Sequence, residues 1–264
     1  MYLWKCWREY RGFVLGLLFL LTAFAFLADY SQSRRLWWTE DYSRAASSAL
    51  FHGMHKTNLG VFHDIQEMNL GLVVIGGLLG ALFMSNAGGV ATEFEHKTSE
   101  LLFTRPRKRA LLMWTNWWCG LFLLEAVLLV TVLTSSASLA ILLHVWDGTW
   151  FALFQKLTVR LLLAILAMLP MNMMVYGIAS CAGVLCRSVS KGLLAAVEVI
   201  AGYFGIYVLL QVHFRLDTPN WWFDRSYSII GGDFSHLELA LAWMIIALLF
   251  PFAAQKILER RDVV

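Results

Sequence analysis

Two acidic side chains, Glu125 and Glu198, stand inside long apolar runs of this sequence. At 1.5 Å of rise per helical residue, Glu125 lies about 24 Å along the chain from Arg109, and Glu198 lies about 10 Å from Lys191. A charge at the centre of a bilayer costs at least about 2.5 kcal/mol, so each carboxyl must face protein, water or a cation. Both are candidates for the polar lining of a transport path or for a proton or ion relay. A protonated or hydrogen-bonded packing contact between helices explains them equally well.

The sequence lacks the motifs that would make this chain an enzyme. It has no Gly-x-x-x-x-Gly-Lys-Ser/Thr phosphate loop, no His-Glu-x-x-His helix and no Gly-x-Ser-x-Gly elbow. His52-x-x-His55, with His63 and Asp64, has a loose metal-ligand spacing, but no cysteine pair accompanies it and the seven histidines are dispersed. We therefore expect no catalytic residues and no metal site.

The long polar insertion at Gly88–Arg109 has the pattern of a short amphipathic helix. Thr92-x-x-Glu95 is a capping box, and Pro106 ends the helix. Its two faces carry Phe94, Thr98, Leu101 and Leu102 on one side and Glu93, His96, Lys97 and Glu100 on the other. Such a helix between two membrane spans is a binding surface for something outside the membrane, or else a solvated helix lying on the bilayer.

Composition indicates an all-α integral membrane protein. Hydrophobic residues make up 59% of the chain and charged residues 15%, against about a quarter charged in soluble proteins. The apolar runs are uninterrupted, whereas barrel strands alternate. At about 20 residues per span, six spans are predicted: Gly12–Asp29, Asn69–Gly88, Leu111–Thr134, Arg160–Gly183, Leu193–Val212 and Leu237–Gln255. We expect one domain, residues 1–264, with residues 135–155 at the outer surface or dipping partly back.

Positive charge predicts the orientation. With six spans and both termini inside, 13 of the 21 Lys and Arg residues are cytoplasmic and eight lie in the longer outer loops. A second span between Leu111 and Trp146 would place the basic residues after it outside, so seven spans are rejected. The insertion at 88–109 then faces the cytoplasm. The net charge of +3 is modest and suggests no nucleic-acid partner.

Three further patterns concern the helices themselves. Leu3, Trp4, Trp7 and Tyr10 recur opposite Lys5, Arg8 and Glu9, which predicts an N-terminal amphipathic helix in the inner interface. Gly76-x-x-x-Gly80 and Ala201-x-x-x-Gly205 permit close helix contact. Pro170 frees the carbonyl of Leu166 in span four, and Asn172 is available nearby as a polar partner.

Taken together, these stretches resemble the ABC type-2 exporter permeases over the whole chain. Residues 93–106, EFEHKTSELLFTRP, are similar to the family's cytoplasmic coupling helix, with Lys97 where the family has glycine. Residues 177–180 and 187–192 are similar to its small-residue exit from span four into a short basic turn. Residues 257–262, ILERRD, are similar to its basic tail, and the N-terminal segment fits its interfacial elbow helix.

The resemblance implies a permease subunit of an exporter in the bacterial plasma membrane. It implies that two permease subunits, identical or different, pair and bind two copies of a cytoplasmic ATPase, which would hold the ATP and magnesium. The residues that would contact the ATPase are Glu93, Phe94, Lys97, Thr98, Glu100, Leu101 and Leu102. By the same resemblance, spans two and five border the substrate route and spans one and five contribute to the subunit junction.

Two alternatives stay open at this point. One is an ion-coupled secondary transporter that uses Glu125 or Glu198, although no inverted repeat is apparent in the sequence. The other is a membrane immunity or scaffold protein that binds a peptide at its outer surface. The candidates for a transport path or for helix packing are Gly76, Gly80, Glu125, Asn172 and Glu198.

Overall fold

The computed structural model describes residues 2–45, 68–85, 92, 109–142, 148–212 and 237–260. Apart from the isolated Thr92 and the turn at Arg187 and Ser188, these residues form six α-helices: α1 Tyr2–Ala45, α2 Met68–Ser85, α3 Arg109–Leu142, α4 Gly148–Cys186, α5 Val189–Val212 and α6 Leu237–Arg260. All six are long and apolar enough to cross a membrane. The prediction of an all-α protein with six spans is confirmed to this extent.

The helices run alternately up and down. Contacts between α1 and α3 join residues of similar distance from the start of each helix, such as Tyr10 near Gly120 and Asp29 near Ser135. We call the end of the bundle at which α1 begins and α6 finishes the terminal end. Trp114 of α3 and Gln255 of α6 meet there, since the Trp114 indole donates to Gln255 Oε1 at 2.7 Å.

Burial ranks the helices from centre to edge. In α4, 61% of the most apolar window is buried, whereas in α5 only 11% is. The main core joins side chains of α1, α2, α3 and α4, among them Tyr10, Leu82, Leu124 and Tyr176. α5 packs on α4, and most of its surface is left uncovered by the described part of the chain. This face is therefore open to lipid or to another subunit.

The region predicted to be too long for one span is one unbroken helix, α3. In its Ser- and Thr-rich second half, hydroxyls find acceptors on the preceding turn, as Thr131 does at the Val127 carbonyl and Thr134 at the Val130 carbonyl, both at 2.8 Å. Among the described residues of this region there is one span, as predicted. Helices α3 and α4 also extend into residues 135–155, beyond the predicted span bounds.

The N-terminal amphipathic helix is not confirmed as an element of its own. Helix α1 continues without a break from Tyr2 through the predicted first span. Tyr10, predicted on the apolar side that faces the interface, is fully buried in the core. Its hydroxyl lies 3.1 Å from the hydroxyl of Tyr176, so Tyr10 packs against protein, whereas Trp7 on the same side is exposed.

A two-residue turn joins α4 to α5. Arg187 adopts a φ of 53°, a left-handed conformation that usually falls to glycine after a helix. Its amide donates to the Gly183 carbonyl at 3.0 Å, and the Gly192 amide donates to the Ser188 carbonyl at 2.9 Å. The short connection fits the predicted turn at this place.

Candidate functional site

The residues proposed to contact an ATPase lie outside the described part of the chain. These are Glu93, Phe94, Lys97, Thr98, Glu100, Leu101 and Leu102. Thr92, which was predicted to cap their helix, is described and is helical and half-buried. The histidine group at His52, His55, His63 and Asp64 also lies outside. These predictions stay predictions.

Glu125 and Asn172 are brought together at mid-height in the bundle. Asn172 of α4 is completely buried, and its amide nitrogen donates to Glu125 Oε1 at 2.9 Å. The second carboxyl oxygen, Oε2, is buried and has no hydrogen-bond partner, and the same is true of Asn172 Oδ1. The site is therefore a carboxyl–amide pair joining α3 to α4 in an otherwise apolar layer.

Asn172 was expected to serve the carbonyl that Pro170 frees. Instead, its side chain turns towards α3 and Glu125. Pro170 is buried within α4, which remains one helix from Gly148 to Cys186. The polar partner of Asn172 is therefore a side chain of the neighbouring helix and not a carbonyl of its own helix.

Glycines of α2 make room for this layer. A Cβ at Gly76 would lie 2.9 Å from the side chain of Leu21, and one at Gly80 would lie 3.1 Å from Leu17 and would also meet Leu124. These contacts confirm the predicted close packing of the motif on α2. Gly77, which sequence analysis did not single out, is the glycine at the polar pair. A Cβ there would lie 2.8 Å from Asn172 Oδ1.

Glu198 is not part of this site. It is exposed on α5, on the open side of the bundle. Ala201 and Gly205 share this exposure, and nothing lies within 4 Å of a Cβ built at Gly205. Among the described residues, the close contact that this motif permits is not made.

A second polar cluster, missed by sequence analysis, ties three helices at the end opposite the terminal end. Asp29 of α1 is completely buried and accepts from Asn69 Nδ2 of α2 at 3.0 Å. The hydroxyls of Ser135 and Ser138 of α3 lie 3.0 Å and 2.8 Å from its other oxygen. Asp29 inside an apolar run and the Ser-rich stretch of α3 were the available signals.

A third polar level lies nearer the terminal end. The Tyr10 and Tyr176 hydroxyls meet beside Gly120, where the Tyr176 hydroxyl lies in the space that a Cβ would take. Trp117 is 1% exposed and packs edge-on to Tyr176 with ring centroids 6.2 Å apart. Trp117 is therefore a core residue and not an interfacial anchor.

Chemically, the described residues offer buried carboxyls and hydroxyls at three depths of a helical bundle. Within the described ranges, no three His, Cys, Asp or Glu side chains are grouped so as to hold a metal ion. Such an arrangement suits helix association. It offers no nucleophile with an adjacent base.

Comparison with known proteins adds no family to this description. No protein-family model matches the chain, and a search of curated proteins finds no match.

Proposed function

We propose that this chain is the membrane-spanning permease subunit of an ABC exporter and that a separate cytoplasmic ATPase drives it. It would lie in a bacterial plasma membrane with both termini in the cytoplasm. Its N-terminal residues would meet the inner interface, and residues 92–104 would form the coupling helix. The proposal rests on the sequence resemblance together with the arrangement of the six helices.

The observation that carries the proposal is where the polar insertion joins the bundle. Helix α2 finishes at the terminal end and α3 begins there, so residues 86–108 connect two buried helices beside the start of α1 and the end of α6. In the α2 and α3 windows, 56% and 50% of residues are buried. A push on a helix joined to two packed helices moves them as rigid bodies, since packed interfaces have discrete arrangements.

Pairing with a second permease subunit is supported by the open face of α5. Its exposed residues include the small Ala201 and Gly205, which allow two helix backbones to approach closely. An apolar helix with 11% of its window buried has room for a partner helix along most of its length. We propose this face as part of the subunit junction.

Co-purification tests the proposed function directly. The chain is expressed with the ATPase encoded beside it, and both complex formation and stimulated ATP hydrolysis are measured. We expect the double variant Glu100→Arg, Leu101→Asp to lose both, because it reverses a charge and inserts an acid on the proposed contact surface.

A matched control carries the same substitutions away from that surface. Leu237→Asp with Glu238→Arg changes two exposed neighbours at the start of α6, at the opposite end of the bundle. This variant should still bind the ATPase. Retention of binding and stimulated hydrolysis by the Glu100→Arg, Leu101→Asp variant would refute the assignment of the coupling surface. Failure of any encoded ATPase to bind the unaltered chain would refute the proposed function itself.

The alternative that a specific observation favours is an ion-coupled transporter. Glu125 has a buried oxygen without a partner, which is a feature of an ion or proton site. Glu198 does not support this function, since it is exposed on α5. Substrate flux that follows an ion gradient in vesicles holding only this chain would favour the alternative.

A further inference from the structure

The pair formed by Glu125 and Asn172 has one hydrogen bond and two unused acceptors. Asn172 donates from its nitrogen to Glu125 Oε1 at 2.9 Å. Glu125 Oε2 and Asn172 Oδ1 are both buried without a hydrogen-bond partner. An ionised carboxylate and an amide oxygen can only accept, so neither can satisfy the other. Two unused buried acceptors on side chains that already touch require an explanation.

A single proton placed between Glu125 Oε2 and Asn172 Oδ1 would give both atoms a hydrogen-bond partner. We propose that Glu125 is a proton-binding site: in this conformation Oε2 carries a proton and donates it to Asn172 Oδ1, which closes a ring of two hydrogen bonds between α3 and α4. The proton comes from a hydronium ion of the surrounding water, which loses one O–H bond and becomes water; the new bond is the O–H bond on Oε2, and the carboxyl becomes neutral. Carboxyl and amide groups are both planar, so two groups joined at one edge can join at the other.

No other charge replaces this proton. Glu125 makes no ion pair in the described part of the chain. A carboxylate that stays ionised in the hydrocarbon layer pays the full cost of desolvation. A buried carboxyl group therefore binds a proton and becomes neutral. A neutral carboxyl with both oxygens bonded avoids that cost.

The neighbouring helices supply little that could compete for the proton. At this level, α1 presents Leu17 and Leu21, and α2 presents Gly77 and Gly80. The titratable groups on the packed helices lie at other levels: the hydroxyls of Tyr10 and Tyr176 about one turn towards the terminal end, and Asp29 beside Ser135, about 15 Å along α3. Outside these levels, α5 carries the exposed Glu198, and α6 carries Glu238, Lys256, Glu259 and Arg260 near its two ends.

At Gly77, helix α2 packs directly against the side-chain amide of Asn172. A Cβ at this position would stand 2.8 Å from Asn172 Oδ1 and 3.0 Å from Nδ2. Helix α2 therefore closes the space beside the amide, and Asn172 has no exposed surface. Little room remains for water to serve as the missing donor.

Asp29 provides an internal contrast. Its two oxygens face three donor groups, Asn69 Nδ2 and the hydroxyls of Ser135 and Ser138. Each serine hydroxyl also has a second acceptor within reach, Asn69 Oδ1 at 3.2 Å for Ser135 and the Ser135 carbonyl at 2.9 Å for Ser138. Asp29 is thus surrounded by donor groups, whereas the hydrogen bond that reaches Glu125 comes from Asn172 Nδ2 and leaves Oε2 without a partner.

Infrared spectroscopy of the full chain in lipid tests the proposal without an ATPase, so its outcome is separate from that of the proposed function. With glutamate labelled by ¹³C, a protonated carboxyl band at neutral pH should shift with the label in the wild-type protein. Glu125→Gln should abolish the band, while Asp29→Asn should leave it. No label-sensitive carboxyl band in the wild-type protein, or a band that persists in Glu125→Gln, would overturn the proposal.

Stability against pH supplies a second measurement. The native state holds a proton that the unfolded state releases, so wild-type stability should fall as pH rises. Glu125→Gln should lack this component and should fold, because its amide can donate to Asn172 Oδ1 and its oxygen can accept from Nδ2. We expect the difference in unfolding midpoint between the two proteins to change as pH rises above about 5, where a glutamate of the unfolded chain has released its proton. Parallel curves above this pH would contradict the proposal.

Discussion

Replacing Gly120 with alanine would place a methyl group where the Tyr176 hydroxyl lies. The nearest atoms to that methyl after the hydroxyl are Tyr176 Cζ at 2.8 Å and the Tyr10 hydroxyl at 3.2 Å. Tyr176 is 1% exposed and is packed against Trp117, so its ring has little room to retreat. We expect Gly120→Ala to break the hydrogen bond between the two tyrosines and to destabilise the bundle.

The magnitude follows from three terms. Overpacking a filled core costs about 1–3 kcal/mol, and the lost hydrogen bond between Tyr10 and Tyr176 costs about 1 kcal/mol. Alanine in place of glycine within a helix returns about 0.5–1 kcal/mol. The free energy of unfolding should therefore fall by about 1–3 kcal/mol, combining the same three terms.

Unfolding in mixed detergent micelles, followed by tryptophan fluorescence, measures this change. Gly16→Ala on α1 is the matched control, because nothing lies within 4 Å of a Cβ at Gly16. It should leave stability unchanged or raise it slightly. Tyr176→Phe removes the overlapping hydroxyl, so the double variant should be less destabilised than the sum of the single variants, with a coupling of about 1 kcal/mol or more.

Two results would refute this reasoning. Equal effects of Gly120→Ala and Gly16→Ala would show that the space beside Tyr176 is not filled as described. Additive effects of Gly120→Ala and Tyr176→Phe would show that the methyl group and the hydroxyl do not compete for the same place.

Two further substitutions test the other features of the bundle. Asp29→Leu should lower the free energy of unfolding by about 1–3 kcal/mol more than Asp29→Asn, because asparagine keeps an acceptor for Asn69 and can donate to the serine hydroxyls. Equal losses, measured by the same unfolding experiment, would show that the cluster contributes no hydrogen-bond energy. At the α4–α5 turn, the Arg187→Gly protein should be about 1 kcal/mol more stable than the Arg187→Ala protein, since both variants remove the side chain and glycine alone adopts a positive φ freely. An alanine variant that is as stable as the glycine variant, or more stable, in the same unfolding measurement would contradict this.

The number of spans could be predicted because it depends on a local property, the length of each apolar run. The helix bounds were less accurate. Ser135 and Ser138 lower the hydropathy of α3 just after the predicted end of the span at Thr134, yet the helix continues through them. Both hydroxyls bond Asp29, and that of Ser138 also reaches the Ser135 carbonyl. Hydropathy alone therefore ended the predicted span too early.

The contacts between polar groups of different helices depend on the register of one helix against another. A local stretch of sequence does not determine this register. Glu125 and Asn172 were both recognised as polar residues within spans, but Asn172 was assigned to a carbonyl on its own helix. Asp29 was placed at the end of a predicted span, where a charge is ordinary. Because α1 continues to Ala45, Asp29 is instead an interior position that needs donors from two other helices.

The two-residue connection at Arg187 and Ser188 limits how α5 can move. With α4 ending at Cys186 and α5 starting at Val189, no slack exists for sliding, so α5 can only tilt about this point. A helix of 24 residues is about 36 Å long. A tilt of about 10° would swing its far tip by roughly 6 Å while its base stays almost still. Any such pivoting would therefore open a wedge-shaped gap that is widest at the membrane face away from the hinge.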